Sequence, residues 1–145
     1  MQRLLLLGLS LFTLTSGRAE NWPQWRGNRL DGKSLDHGFP NKLTQENETW
    51  RIELPGLGHA SPIVWGDRLF TVAALTETQE RVLLCLDRTS GALLWQKPVL
   101  KSTLEAKHRL NSHASSTPAT DGERVFTAFL DGQSVIVSAH DFSGK

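Results

Sequence analysis

Two short segments hold the residues best suited to chemistry. The first reads GHASP and contains His59 and Ser61. The second reads SHASSTP and contains His113 and Ser115. In both, the histidine and the serine are two residues apart, so on an extended strand their side chains share one face. Each pair could bind a polar ligand, and a histidine beside a serine also raises the question of nucleophilic catalysis.

The surrounding residues do not support hydrolysis, zinc binding or dinucleotide binding. The Gly-x-Ser-x-Gly elbow is absent and no acidic third partner is placed. The histidines show neither zinc-finger nor short helical ligand spacing. They are His37, His59, His108, His113 and His140. GLGHAS matches only part of a dinucleotide fingerprint, and Pro62 blocks the helix that should follow. We therefore expect no catalytic residues and no metal site in this chain.

The histidine segments begin the two copies of a longer repeat. Pro62 is followed 56 residues later by Pro118. The same spacing relates Gly66 to Gly122, Arg68 to Arg124 and Phe70 to Phe126. Further on, Asp87 recurs as Asp141 after 54 residues, and Gly91 recurs as Gly144 after 53. A period of this length is typical of propeller blades.

Each copy predicts a meander of four antiparallel strands. Short apolar runs are broken by turn residues, as at Gly66 and Asp67. At the next turn, the carboxylate of Asp87 can accept from backbone N–H groups, and Gly91 tolerates a positive φ. The predicted strands of the first copy are Ser61 to Trp65, Arg68 to Ala74, Arg81 to Leu86 and Ala92 to Gln96.

This pattern predicts an all-β fold, a partial β-propeller of four-stranded blades with an incomplete ring. One blade cannot bury both of its faces, and radial stacking of blades solves this problem. Trp50 and Trp95 would end outer strands and wedge between blades. Residues 49–145 thus supply the end of one blade, a whole blade and three strands of another. Because a ring needs about four to eight blades, we expect an N-terminal fragment of a longer protein.

The first residues predict export. Residues 1–19 contain a basic start, an apolar run and a small residue at Ala19, as in a cleaved signal peptide. An uncleaved membrane anchor is the alternative, but the run is shorter than the roughly 20 residues of a spanning helix. Residues 20–48 would form an N-terminal capping segment. We expect a periplasmic or extracellular protein with no transmembrane span after cleavage.

Composition excludes further classes. Two of the 16 basic residues, Arg3 and Arg18, lie in the signal peptide, which leaves 14 basic against 15 acidic side chains. A near-neutral surface gives no electrostatic basis for binding nucleic acid or anionic lipid. Cys85 is the only cysteine, so an internal disulfide is excluded.

The segment VLLCLDRTSGALLW resembles the repeat signature of the pyrroloquinoline quinone (PQQ) propeller family. SPIVWGDRLF is similar to the opening strands of that repeat, and NWPQWRGNRLDGKS resembles the start of its secreted bacterial members. The resemblance covers residues 21–145. The structural blade residues that it implies are Trp50, Asp87, Gly91, Trp95, Asp141 and Gly144.

The resemblance implies two kinds of function. Some members of the family hold PQQ and calcium on the propeller axis and oxidise alcohols or sugars, whereas others are binding scaffolds without a cofactor. Alcohol-oxidising members commonly carry two adjacent cysteines, which the single Cys85 cannot supply. We expect an exported, non-catalytic scaffold for a protein or polymer ligand, without a cofactor. The alternative is a PQQ-dependent alcohol or sugar dehydrogenase whose catalytic residues lie beyond Lys145.

Ligands of the resembled enzymes bind near the mouth of the axial channel, where the innermost strands begin. The repeated histidine and serine pairs would stand there and converge on one ligand from adjacent blades. Alternatively, these groups hydrogen-bond the backbone at the start of a strand. Asn111 and Arg26 are weaker channel candidates. The predicted ligand-binding residues are His59, Ser61, Asn111, His113 and Ser115.

Overall fold

The computed structural model describes residues 19–145, which form two antiparallel β-sheets joined by irregular segments. The predicted signal peptide lies outside this range except for Ala19. The strands are β1 (Ile63–Trp65), β2 (Arg68–Leu75), β3 (Glu80–Asp87), β4 (Leu93–Lys101), β5 (Ala119–Thr120), β6 (Arg124–Asp131) and β7 (Ser134–Asp141). A 3₁₀ helix, Gln45–Asn47, lies in the capping segment. Within residues 19–145, no helix has the length and apolar character to cross a membrane.

The strands form two meanders. Strands β1 to β4 make the first sheet in chain order, and β5 to β7 make the second. Every neighbouring pair is antiparallel. The predicted all-β fold is confirmed: the described residues form a partial propeller with one four-stranded blade and three strands of another, and the two sheets do not close into a ring.

The predicted strands of the first sheet are confirmed, with shifts at their ends. β1 begins at Ile63 rather than Ser61. The Ser61 N–H donates to Thr117 Oγ1 at 3.1 Å and so does not join the ladder. β4 runs beyond its predicted end to Lys101, across a bulge in its pairing with β3. A bulge adds one unpaired residue, which lets the pairing continue in a new register.

The registers of the two sheets confirm the repeat. Ile63 pairs with Phe70 in the first sheet, and Ala119 pairs with Phe126 in the second. Both partners are therefore displaced by the same 56 residues. The spacing shortens for β3 and β7 because the turn between β6 and β7 has two residues fewer than the turn between β2 and β3. The change in spacing is thus confined to a turn.

The two central strands of the first sheet, β2 and β3, are buried on both faces. One face packs against the second sheet. The buried residues of this core are Ile63, Phe70, Val72, Ala74, Leu83, Cys85, Ala114, Val125 and Phe129. On the other face Ile52, from the segment before β1, packs over the side chains of Ala73, Val82, Leu84 and Leu86. Burial on both sides explains why β3 is an unbroken apolar run from Val82 to Leu86.

The prediction of a strand around Trp50 was wrong. Residues 49–54 have no regular secondary structure. Ile52 lies against a face of the first sheet. An additional strand would have to pair with the free N–H and C=O groups at an edge of the sheet. A segment that lies across a face of the sheet cannot reach these groups. The expected blade end is therefore an irregular segment packed on the first sheet.

The N-terminal capping segment contacts both sheets. Trp22 forms an antiparallel bridge with Val64 of β1, through backbone hydrogen bonds of 2.8 and 2.9 Å. The next carbonyl, that of Pro23, accepts from the Thr120 N–H of β5 at 2.8 Å. The segment thus covers parts of two strand edges that would otherwise be free to pair with other chains.

Candidate functional site

The two histidine segments meet at Ala114. The N–H groups of His59 and Ala60 both donate to the Ala114 carbonyl, at 3.0 and 3.2 Å. Ala114 is fully buried. Gly58 permits close packing here, since a Cβ at that position would lie 2.9 Å from the Val72 carbonyl oxygen and 3.4 Å from that of Ala114. The fold therefore brings the repeated segments together, at the start of the edge strands β1 and β5.

The ring of His113 faces the half-buried carboxylate of Glu105. Its Nδ1 lies 3.1 Å from Glu105 Oε1, in an approach that departs from hydrogen-bond geometry, and only 10% of the side chain is exposed. The other carboxylate oxygen, Oε2, pairs with Arg81 Nη2 at 2.5 Å. Arg81 is fully buried. These residues form a charged row, Arg81 to Glu105 to His113, between the two sheets.

Arg81 is the fixed end of this row. Its Nη1 donates to the carbonyl and the hydroxyl of Ser102 at 2.7 and 3.1 Å, and Nη2 also approaches the carbonyl of Leu130 at 3.5 Å. Among the described residues, its Nε has no hydrogen-bond partner. A buried guanidinium needs such pairing because the loss of hydration is costly. Arg81 therefore holds Glu105 in place and ties β3 to the second sheet.

The environment of Glu105 favours its charged form. Burial raises the pKa of this carboxyl, but its own backbone N–H, His113 and the positive charge of Arg81 together outweigh that effect. The net result is a pKa below the ordinary value. Glu105 is therefore a carboxylate at neutral pH.

Asn111, Ser112 and Ser115 form a second polar group beside His113. Ser115 Oγ donates to Asn111 Oδ1 at 2.5 Å, and the Ser112 N–H donates to the same oxygen at 2.9 Å. The two serine hydroxyls are 3.0 Å apart. The asparagine side chain thus holds the loop in a closed turn.

The two polar groups share a cleft of about 180 Å³. Its polar lining comes from Glu105, Asn111, Ser112, His113, Ser115 and Ser116. Its apolar wall comes from Ala128, Phe129 and Leu130 on β6. Three of the five predicted ligand-binding residues, Asn111, His113 and Ser115, therefore lie together in one cleft.

The other predicted residues lie apart from this cleft. His59 and Ser61 are exposed. They do not contribute to the lining of the cleft, although the backbone of His59 contacts Ala114. Arg26 is exposed on the capping segment, where it donates to the Asp31 carbonyl at 3.1 Å and stacks over Trp25. A ligand role for these residues stays a prediction.

Sequence reasoning missed Arg81 and Glu105. Arg81 alternates with the core residues Leu83 and Cys85 on one face of β3. A charged residue that alternates with core residues is expected to be buried, and a buried charge must be paired. This pattern could have identified Arg81 from the sequence. No comparable signal marks Glu105, because it lies in an irregular segment of mixed polarity.

The family resemblance implies PQQ and calcium, and a calcium ion would need a group of ligands from the protein. Calcium takes six to eight oxygen ligands in most proteins. Within residues 19–145, no three His, Cys, Asp or Glu side chains are grouped to hold a metal ion. Both oxygens of Glu105 are already engaged by Arg81 and His113. The described residues therefore do not supply the carboxylate ligands of such a calcium ion.

The predicted blade residues form the same turn in both sheets. The Asp87 carboxylate accepts from the N–H groups of Thr89 and Ser90 at 3.0 and 2.8 Å. The Gly91 N–H donates to the Asp87 carbonyl at 2.8 Å. Hydrogen bonds from the backbone and hydroxyl of Ser90, the largest causes, lower the pKa of Asp87. Asp87 is therefore charged over the whole physiological range.

The second sheet repeats this turn with one residue fewer. Asp141 accepts from the N–H groups of Ser143 and Lys145 at 2.8 and 3.0 Å. The Gly144 N–H donates to the Asp141 carbonyl at 2.9 Å. The Ser143 hydroxyl, followed by the Lys145 N–H, lowers the pKa of Asp141. The shorter loop accounts for the change in spacing between the two glycines.

No protein-family model, curated protein or solved structure matches this chain. Its class therefore rests on the fold described above: an all-β protein with two antiparallel sheets stacked as a partial propeller.

Proposed function

We propose that this chain forms part of an exported, non-catalytic propeller of the PQQ-like type, which binds a protein or polymer ligand at the cleft beside His113. The observation that carries the proposal is the buried ring of His113, held against Glu105 at the wall of a polar cleft. The repeated Asp-Gly turns and the tryptophans that dock on them support the propeller assignment.

The ring of His113 offers a second nitrogen to a ligand. Nε2 can donate or accept a hydrogen bond, depending on the form of the ring. Among residues 19–145, Nε2 has no hydrogen-bond partner. The serine hydroxyls nearby can donate or accept. The cleft therefore suits groups that both donate and accept, such as backbone amides or sugar hydroxyls.

The size of the cleft favours binding of a single unit of a larger ligand. Pockets that enclose a whole drug-sized ligand usually measure about 300 to 1,000 Å³, and this cleft measures about 180 Å³. That volume accommodates one side chain or one sugar ring, with Phe129 as an apolar wall. A polymer or a protein loop would insert one unit here and extend over the surface.

The serines of the cleft support binding rather than nucleophilic attack. Ser115 Oγ donates to Asn111 and contacts Ser112. An activated nucleophile needs a base within hydrogen-bond distance. Among the described residues, His113 has no serine hydrogen-bonded to its ring. The arrangement thus supports the scaffold proposal over a hydrolase.

The test is a screen of peptide and glycan arrays with the wild-type protein, followed by titration of the best probe. We expect His113→Ala to weaken binding at least about tenfold, which corresponds to the loss of a good hydrogen bond. His37→Ala, a change at an exposed histidine of the capping segment, is the control and should have no effect. Unchanged affinity of His113→Ala would refute the cleft. Stoichiometric uptake of PQQ with calcium by the full-length protein, with oxidation of alcohols or sugars, would favour the dehydrogenase instead.

A further inference from the structure

The backbone nitrogen of Glu20 lies against a carboxylate. It is 3.0 Å from Asp36 Oδ2 and 3.2 Å from Asp36 Oδ1. An amide nitrogen has one hydrogen to share between these two oxygens. An ammonium group has three, so it could satisfy both oxygens with separate hydrogen bonds. The Asp36 carboxylate, which accepts from the amide through both oxygens, can therefore also bind an ammonium group at this position.

The side chain of Glu20 is anchored as well. Its Oε1 accepts from the Leu35 N–H at 3.0 Å, and Oε2 lies 3.6 Å from Arg29 Nη1. Hydrogen bonds from Ser34, the largest cause, and then from Leu35 lower the pKa of this carboxyl. Glu20 is thus held by both its backbone and its side chain against residues 34–36.

The following residues fix Glu20 to the first sheet. Asn21 Oδ1 accepts from the Gly66 N–H at 2.8 Å. Trp22 pairs with Val64 through two backbone hydrogen bonds. The ends of most domains are poorly ordered unless they are tied down in this way. Position 20 therefore has a defined place in the fold, set by contacts that do not involve residues 1–18.

The signal peptide prediction places the cleaved bond between Ala19 and Glu20. We propose that cleavage there creates an α-ammonium group on Glu20, which Asp36 binds as the mature N-terminus of the protein. A leader-removing protease would use water to hydrolyse the bond. Ala19 leaves with the new carboxylate, and the Glu20 nitrogen becomes an amine that takes up a proton. One amide donor is thereby replaced by three donors and a positive charge beside Asp36.

Several charges face this nitrogen. Asp36 lies next to it, and the Glu20 carboxylate is paired with Arg29. Arg88 approaches from the other side, with its Nη atoms 3.2 and 3.3 Å from the Ala19 carbonyl. That carbonyl leaves with the signal peptide, while Arg88 keeps its contact with the Gly66 carbonyl at 3.3 Å. Asp36 raises the pKa of the amine and the positive charge of Arg88 lowers it, so we expect a moderate increase in this pKa.

The inference is tested on the complete chain, expressed with its signal peptide in a bacterial host and recovered after export. The N-terminal residue is read by mass spectrometry, and the pKa of its amine is measured from the pH dependence of acylation. We expect Glu20 at the terminus and an amine pKa about one unit above the usual 7.7 to 8.0. Asp36→Asn should remove the shift. Asp31→Asn, which removes a neighbouring carboxylate of the same segment, should leave it unchanged.

A second variant makes the test independent of any effect of Asp36 on folding. One glycine inserted before Glu20 moves the ammonium by up to about 3.8 Å while Asp36 is kept, and the amine should return to its ordinary pKa. A terminus at another residue would overturn the inference, as would equal amine pKa values in the wild type and in Asp36→Asn. The outcome is independent of ligand binding at the His113 cleft.

Discussion

The indole N–H of Trp95 donates to the carbonyl oxygen of Phe142 at 3.0 Å. This hydrogen bond joins the last strand of the first sheet to the turn of the second. Trp50 makes the equivalent bond to the Arg88 carbonyl, also at 3.0 Å. Each acceptor directly follows the aspartate of the repeated turn. One tryptophan per repeat therefore docks on the next turn along the chain, and this contact links successive units.

Trp95→Phe should weaken this link. Phenylalanine keeps a ring against Phe70, whose centroid is 6.0 Å from that of Trp95, but it cannot donate to the Phe142 carbonyl. We expect the free energy of unfolding to fall by about 1 kcal/mol, the usual net value of one hydrogen bond. Urea denaturation followed by circular dichroism measures this change. Trp25→Phe is the control, since Trp25 is 61% exposed, and equal effects of the two substitutions would contradict the docking role.

Gly91 should be irreplaceable for a steric reason beyond its backbone conformation. Its φ is 73°, and a Cβ would lie 2.5 Å from the Trp50 ring. Gly132 has a φ of 59° but nothing within 4 Å of such a Cβ. We expect Gly132→Ala to cost about 1 kcal/mol for the left-handed backbone alone, and Gly91→Ala to cost about 1 to 3 kcal/mol more. Thermal unfolding of both variants provides the comparison, and similar losses would show that Trp50 moves aside freely.

The blade turn could be predicted because local residues make it. The carboxylate of Asp87 reaches N–H groups two and three residues ahead, and Gly91 takes the positive φ within the same turn. Strand pairing followed from alternating apolar runs between such turns. The prediction of a strand at Trp50 was wrong because the repeated tryptophan indicates only where the indole docks. It does not determine the backbone conformation of the segment that carries the indole.

The charged row could not be predicted from the repeat. Arg81 and Glu105 are 24 residues apart and meet only after β4 has folded back on β3. The counterpart of Arg81 in the second sheet is Val135, so the position shows no repeated charge. The repeat also does not predict that the two histidines differ in exposure. The second segment has two additional residues before its proline, and the side chain of His113 is only 10% exposed whereas His59 is exposed.

Cys85 should be unreactive in the folded protein. Its burial, the largest cause, raises the pKa of the thiol to about 11 from a model-compound value of 9.0. At pH 8 the thiolate fraction is then about 100-fold below that of an ordinary cysteine. We expect iodoacetamide to label the native chain at least that much more slowly than the chain in urea. Thr103→Cys, at an exposed position, supplies a reactive reference, and fast native labelling of Cys85 would show that the core opens.

Glu105→Gln should destabilise the protein because it removes the only carboxylate paired with the buried Arg81 among the described residues. Breaking a buried ion pair from one side costs about 3 to 5 kcal/mol, and Glu105 is 15% exposed, so we expect about 2 to 4 kcal/mol in urea unfolding at pH 7. Glu80→Gln is the matched control. It removes a carboxylate 3.5 Å from the exposed Lys101 and should cost less than about 1 kcal/mol.

The pH dependence of the same variant gives a signed test of the charge on Glu105. The pKa of this carboxyl is lower in the folded protein than its model-compound value of 4.5. Its stabilising contribution is therefore complete above 4.5 and is lost as the pH falls through the lower folded value. The difference in unfolding free energy between the wild type and Glu105→Gln should thus be constant from pH 8 to about pH 5.5 and shrink below 4.5. A difference that grows below pH 4.5 would mean that Glu105 is protonated in the row and that Arg81 is neutralised by other groups.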